Sequence, residues 1–284
     1  MLRPIAITET IAELAEGRSA WLVDVWGVIH NGVSPFARSV AACETFRSSG
    51  GYVVLVTNAP RPAVSVVRQL DAIGVPRSAY DAIVTSGDVT SGLLRAWSDR
   101  KIHHLGPERD LPLFEGLGIK FVTSIEAELV VCTGLHDDEK ETPEDYKRLL
   151  ERFLRRRAAM ICANPDLKVE RGDRVVYCAG AIAALYESLG GDVVYAGKPH
   201  PPIYELAQSM IDRALGRAVP QGELLAIGDG VLTDIPGAAM AGYDAIYIAS
   251  GIHLAPGALT SEALEHVFAS GPHRPIAAMA GLAW

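Results

Sequence analysis

Six polar residues stand where short apolar runs end. Asp24 follows AWLV, Thr57 and Asn58 follow YVVLV, Lys198 follows VVYAG, and Asp229, with Asp234 beyond it, follows LLAIG. Together they offer a carboxylate nucleophile, a hydroxyl and an amide, a cation, and an acidic pair. Phosphoryl transfer to a carboxylate uses those groups: the nucleophile attacks phosphorus and carries the phosphate covalently. A divalent cation must bridge carboxylate and phosphoryl oxygens, since the two anions repel each other. Hard oxygen ligands suit Mg²⁺, and Asp24 with Asp229 would supply them. Lys198 would neutralise charge developing on the equatorial oxygens, while Thr57 and backbone N–H groups fix the phosphate. Taken singly, an Asp at a strand end is commonly a turn or cap residue, and a Gly-Lys-Pro turn is commonplace. The GDGVLTDI segment says more, because two acids around Gly230 at a strand-to-helix turn are expensive to place without a cation.

The runs that carry these residues are near-continuous in Val, Ile and Leu, as expected of parallel strands buried on both faces, and AIYIASG at Ser250 reads the same way. Helical periods alternate with them. After Pro201 and Pro202, apolar residues fall at Ile203, Leu206, Ala207, Met210, Ile211 and Ala214, a stripe opened by prolines. Thr142 is placed to cap a helix beginning at Pro143, with Tyr146, Leu149, Leu150, Phe153 and Leu154 on one face and a solvated Arg155–Arg157 end. The expected fold is α/β, a Rossmann-like three-layer parallel-sheet core of residues 1–85 and 189–284. A second α/β domain, 86–188, carries its own strands in LVVCTG, MICANPD and VVYCAG and is inserted into the first. Open parallel sheets bind ligands at the carboxyl ends of their strands, so the polar ends of the four outer strands are expected to converge.

Composition narrows the partners. With 49% hydrophobic and 21% charged residues, the 284-residue chain has material for two cores and is not disordered. A formal net charge of -8, with no block of five like charges, disfavours nucleic acid. Cys43, Cys132, Cys162 and Cys178 form no CxxC pair and read as buried thiols of a reducing compartment. The first twenty residues carry Glu9, Glu13 and Glu16 where a leader would be apolar, and no run is long enough to span a membrane. A cytoplasmic protein is expected. A dinucleotide-binding domain would need G-x-G-x-x-G after its first strand, and GVIHNG does not supply it.

Four segments in order resemble the haloacid-dehalogenase-like hydrolases, class IIA, the group of nitrophenylphosphatase-like and NagD-like sugar phosphatases. They are LVDVWGVIHNG, LVTNAPRP, GKPHPPIY and IGDGVLTDI. The resemblance implies a core with an inserted C2-type α/β cap, Mg²⁺ as cofactor and a small phosphorylated metabolite as substrate. It assigns Asp24 as nucleophile, Thr57 and Asn58 to phosphate binding, and Lys198 to the motif III lysine. Asp24, Asp229 and the backbone carbonyl of Trp26 become the metal ligands, with Asp234 and Gly228 in support. It also marks Asn164, Asp166, Arg171 and Ala181 as cap substrate-loop positions, although Asn-Pro-Asp is equally a good turn. A homodimer through the cap is a further implication.

One position departs from the pattern. Phosphatases of this group carry a second Asp two residues after the nucleophile, as general acid and then base, and Trp26 stands there. General acid–base help is typically ~10²–10⁴-fold. Three expectations compete: a good leaving group or a substitute proton donor such as His30 or His200; a phosphometabolite-binding protein of weak activity; and carbon–halogen cleavage, disfavoured because it needs no metal while both motif IV acids are present.

Overall fold

The computed structural model describes residues 4–97, 99–171, 174–250, 254–269 and 271–284. Its strands, in chain order, are β1 Ala6–Ile7, β2 Ala20–Asp24, β3 Tyr52–Thr57, β4 Ala82–Thr85, β5 Ile102–Leu105, β6 Leu129–Cys132, β7 Ala159–Cys162, β8 Lys168–Arg171, β9 Arg174–Tyr177, β10 Val193–Tyr195, β11 Leu224–Gly228, β12 Asp244–Ile248 and β13 Ala277–Met279. Seven of them form one sheet in the order β1-β13-β12-β11-β2-β3-β4. The pairs β1/β13, β13/β12, β12/β11, β11/β2 and β2/β3 are all parallel. β2 and β11 are buried at every residue, which explains why their sequences lack the alternation of a half-exposed strand.

Chain order in this sheet reverses beside β2. From β2 the chain runs outward through β3 and β4, and later returns to β11 on the other side of β2 before moving out through β12 to β13. The gap between β2 and β11 is therefore the topological switch point, where two outgoing loops diverge and leave a crevice. Registers put the strand ends level: Asp24 pairs with Val56, one residue before Thr57, and Val23 pairs with Ile227, two before Asp229. At the opposite end of β2, Trp21 is fully buried and stacks on Phe46 with centroids 4.0 Å apart.

The chain clusters into two compact units, one of residues 1–57, 67–84 and 203–284, the other of 58–66 and 85–202. The second unit holds a four-stranded sheet, β10-β7-β6-β5, parallel throughout, and the antiparallel β8/β9 pair. Its core joins Val130, Leu150, Phe153, Met160, Ile182 and Tyr186, and the Tyr186 hydroxyl donates to the Ala158 carbonyl at 2.6 Å.

One expected strand lands elsewhere. VVYAGKP was to be an outer strand beside β2, β3 and β11, but β10 pairs with β7 in the four-stranded sheet. Its three residues are only partly buried, and a short Val-Val-Tyr run satisfies either sheet equally; register partners far away in sequence decide which. The helix after Pro201 spans Pro201–Leu215 with Ile203, Ala207 and Ile211 buried as expected, whereas Ala214 is exposed. The segment at Thr142 starts with a 3₁₀ turn, Pro143–Tyr146, before the α-helix Lys147–Arg155. The Thr142 N–H donates to Asp145 at 2.8 Å, and Arg155, Arg156 and Arg157 are exposed. All four cysteines are buried free thiols, and among the described residues no helix is long and apolar enough to cross a membrane.

Candidate active site

Asp24, Asp229 and Asp234 belong to the first unit, and each is less than a tenth exposed. One carboxylate oxygen from each lies within 4.8 Å of the others. At an effective dielectric of 20, two unit charges at that separation repel by roughly 3 kcal/mol. Three buried carboxylates this close can share one cation, which would offset that repulsion. All-oxygen, all-anionic donors of this kind fit a hard divalent ion such as Mg²⁺ rather than a thiolate- or imidazole-seeking metal.

The loops around the cluster are shaped for it by glycine. Gly27 sits at φ +79°, and a Cβ there would overlap the Asp229 carboxylate. A Cβ at Gly228 would overlap the side chain of Asp234, so the end of β11 must be bare for that acid to fold back. Asp234 then accepts a hydrogen bond from the Gly230 N–H at 3.0 Å. The Ser250 hydroxyl donates to Asp229. Ser250 follows β12; the sequence marked it as the polar end of an apolar run but assigned it no role in the site. Thr57, buried, closes β3 level with Asp24.

Trp26 lies in a tight turn leaving β2. The Ile29 and His30 amides both donate to the Val25 carbonyl, at 2.9 and 3.2 Å, and the Gly27 amide donates to the His30 carbonyl at 3.0 Å. The indole is half-buried; its benzenoid edge rests on Gly32, where φ is +88° and a Cβ would overlap the ring. His30 meets the indole edge to face, centroids 5.1 Å apart. His30 is buried, its Nδ1 accepts the Gly32 N–H at 2.9 Å, and burial pushes its pKa down to about 4. At neutral pH it is an uncharged ring holding the turn, with its proton on Nε2.

A second cluster lies within the other unit. The Asn58 side chain grips the Lys198 backbone from both sides: its Oδ1 accepts the Lys198 N–H at 2.7 Å and its Nδ2 donates to the Lys198 carbonyl at 3.1 Å. Nδ2 also donates to Asp166 at 2.9 Å. Asn58 and Lys198 are both buried. Both amide protons of Asn58 are thus committed to positioning, a role that sequence reading did not assign. A Cβ at Gly197 would overlap the Asn58 amide. Asn164 and Asp166 form an Asx turn, the Asn164 Oδ1 accepting the Asp166 N–H at 3.1 Å. Gly180 packs against this turn so closely that a Cβ would overlap the Pro165 carbonyl. Ala181, on the same helix, is part-buried, and the side chain of Arg171 lies outside the described residues. His200 stacks flat on Tyr195 at 4.5 Å, with burial lowering its pKa.

A cavity of about 580 Å³ opens at the far end of β2 and β3, lined in part by Arg18, Phe46, Arg217 and Trp284. Arg18 is paired with Asp244 and Arg217 with Glu223, so the cavity lacks the character of a phosphate site.

Comparison with known proteins places these features in context. A family model described as haloacid dehalogenase-like hydrolase matches residues 21–120, and a related HAD-hydrolase-like model matches 195–271. The crystal structure of a haloacid dehalogenase-like hydrolase from Brucella suis 1330 is 46% identical, covers 97% of this chain and 100% of that one, and superposes with a TM-score of 0.87. A 4-nitrophenylphosphatase structure from Thermotoga maritima is 26% identical over 94% of this chain and 96% of its own, with a TM-score of 0.72. The 5'-nucleotidase YutF of Bacillus subtilis is 25% identical over 82% of this chain and 87% of its length.

Proposed function

Because the chain belongs to the haloacid dehalogenase-like hydrolase family, we propose that it is a Mg²⁺-dependent phosphatase of a small phosphorylated metabolite, working through a covalent phosphate on Asp24. The observation that carries the proposal is the trio of buried carboxylates within 4.8 Å at the switch point of the sheet. Their mutual repulsion is relieved by a divalent ion, and a nucleophilic carboxylate beside such an ion can approach a phosphate dianion. The similar proteins named 4-nitrophenylphosphatase and 5'-nucleotidase support a small phosphate ester as substrate.

In this reading an Asp24 oxygen attacks phosphorus and the bond to the leaving oxygen breaks, leaving an acyl phosphate on Asp24. Water then attacks that phosphorus, releasing inorganic phosphate and the free carboxylate. Asp24, Asp229 and the Trp26 carbonyl would hold Mg²⁺, which when bound neutralises the charge of the phosphoryl oxygens; Asp234 supports them. By the family pattern we assign phosphate binding to Thr57 and Asn58, charge neutralisation to Lys198, and recognition of the rest of the substrate to Asn164 and Asp166. We assign the unit of the seven-stranded sheet to the catalytic core and the unit of the four-stranded sheet to the cap; because β10 belongs to the latter sheet, the cap runs past the expected boundary at 188. Four buried free thiols fit a cytoplasmic setting.

Trp26 favours a second reading, a phosphometabolite-binding protein of weak activity, because the usual proton carrier is missing from its position. One comparison separates the two. Mg²⁺-dependent release of 4-nitrophenol from its phosphate, reduced at least about 10³-fold in Asp24→Asn, is expected of the phosphatase. Mg²⁺-dependent thermal stabilisation by phosphorylated ligands with no release from any ester would establish the binding protein instead.

A further inference from the structure

We infer that Trp26 selects the substrate class: phosphate donors whose leaving group is planar and departs as a stabilised anion, namely acyl, enol and aryl phosphates, in preference to alkyl phosphates. The inference deepens the phosphatase reading of Asp24 and rests on it.

Chemistry and construction point the same way. The only polar hydrogen of an indole is the ring N–H, which donates a hydrogen bond but does not shuttle protons at neutral pH. An alkoxide leaving group therefore receives no proton from position 26, whereas a carboxylate, enolate or phenolate leaves without one. The nearby imidazole does not take over, since the His30 Nδ1 is held by the Gly32 N–H and the ring is 1% exposed. The indole is also built in rather than tolerated. Gly32, at φ +88°, has no Cβ to meet the benzenoid edge, and His30 packs edge-on against the ring at 5.1 Å. Two residues before it is Asp24, and directly after it Gly27 passes bare against the Asp229 carboxylate, so the half-buried ring is part of the turn that borders the acids. The ring is only half-buried, and a planar leaving group that reached its exposed part would gain a stacking partner. Stacking adds roughly tenfold at most. The missing acid costs alkyl esters about 10²–10⁴-fold, so proton demand dominates the selection.

An Asp24 oxygen forms a bond to phosphorus, the bond from phosphorus to the leaving oxygen breaks, and its electron pair stays on that oxygen as an anion. For an acyl donor the step exchanges one acyl phosphate for another. Hydrolysis of the phosphate on Asp24 then proceeds without a base at position 26, so with good donors the second step is slower than the first and the phosphorylated chain accumulates.

A leaving-group series tests this on the full-length protein with Mg²⁺: acetyl phosphate, 4-nitrophenyl phosphate, phenyl phosphate and glycerol phosphate. Log kcat/KM should fall steeply with leaving-group pKa in the wild type, and shallowly in Trp26→Asp, which should gain about 10²-fold or more on glycerol phosphate. Trp26→Phe should keep the steep slope. Damage to the turn alone would lower all rates together and leave the slope untouched. In rapid-mixing experiments the wild type should show a burst of 4-nitrophenol, with one phosphate on Asp24 detected by intact-protein mass. That measurement stands whether or not Trp26→Asp folds. Wild-type turnover of glycerol phosphate within tenfold of acetyl phosphate, or the absence of a burst, overturns the selection by Trp26 and leaves the phosphatase reading intact. No Mg²⁺-dependent turnover of any ester overturns that reading itself.

Discussion

Burial pushes the Asp110 carboxyl up to about 6, against the pull of Arg109, the Thr133 hydroxyl and Arg61. Asp110 is 3% exposed, in the 3₁₀ segment Glu108–Phe114 after β5. Its folded pKa is thus raised above the ordinary carboxylate value, so the stability it contributes is complete below about pH 4 and is lost as pH rises through 6. At neutral pH it is a desolvated charge. Asp110→Asn should therefore stabilise the protein at pH 7.5 by on the order of 2 kcal/mol, with the gain fading at pH 4. Urea unfolding of both proteins at the two pH values checks this, and an equal difference at both would refute it. The Thr133 hydroxyl also meets the His104 Nε2 at 2.9 Å, and burial lowers that ring to about 4. The sign there is opposite, stability being lost as pH falls from about 6.5 to 4, so the comparison must use the variant rather than the wild-type profile alone. None of this was legible in the sequence. GPERDLPLF gives no sign that its Asp is the buried residue, because burial is set by what packs over it.

At the scale of elements, the strand ends were legible and their shaping was not. β2 and β11 announce themselves as unbroken apolar runs, and the acids that end them follow directly. What lets those acids meet is the bareness of Gly27 and Gly228, which only close approach in space reveals. The same holds for Asn58: the resemblance assigned it to phosphate binding, and that its amide also spans to Lys198, 140 residues along the chain, is visible only in the fold. Sheet membership of β10 was likewise beyond local pattern, since pairing with β7 depends on register. Gly27→Ala probes the turn as an element. The substitution places a Cβ against the Asp229 carboxylate and forces an L-residue to φ +79°, at a strain of roughly 1–2 kcal/mol before any clash. Mg²⁺-induced thermal stabilisation should weaken at least tenfold in apparent affinity while far-UV circular dichroism stays native. An unchanged Mg²⁺ titration would show that Asp229 is not a ligand held by this turn.

For the whole molecule, the division of labour follows from which unit owns which groups. All three carboxylates, with Ser250 and the Trp26 turn, lie in the first unit, while the second has its own sheet and its own core around Leu150, Phe153, Met160 and Tyr186. A ligand stabilises only the states that bind it, by RT ln(1 + [L]/Kd), and opening reactions that leave the acids assembled gain nothing from the ion. Mg²⁺ binding energy should accordingly appear as slowed hydrogen exchange at the carboxyl ends of β2 and β11 and in the loops after them. Amides of β5, β6 and β7 should exchange at nearly unchanged rates. At a Mg²⁺ concentration of 100 Kd the slowing should approach about 100-fold, or 2.7 kcal/mol, for amides whose exchange requires the acid cluster to come apart. Asp229→Asn should erase the difference. It should also make the metal-free protein no less stable than the wild type, because it removes one of three mutually repelling buried charges. Equal protection of both sheets by Mg²⁺ would mean that the two units open only together, and the ion would then act on the stability of the whole chain rather than on the unit that holds it.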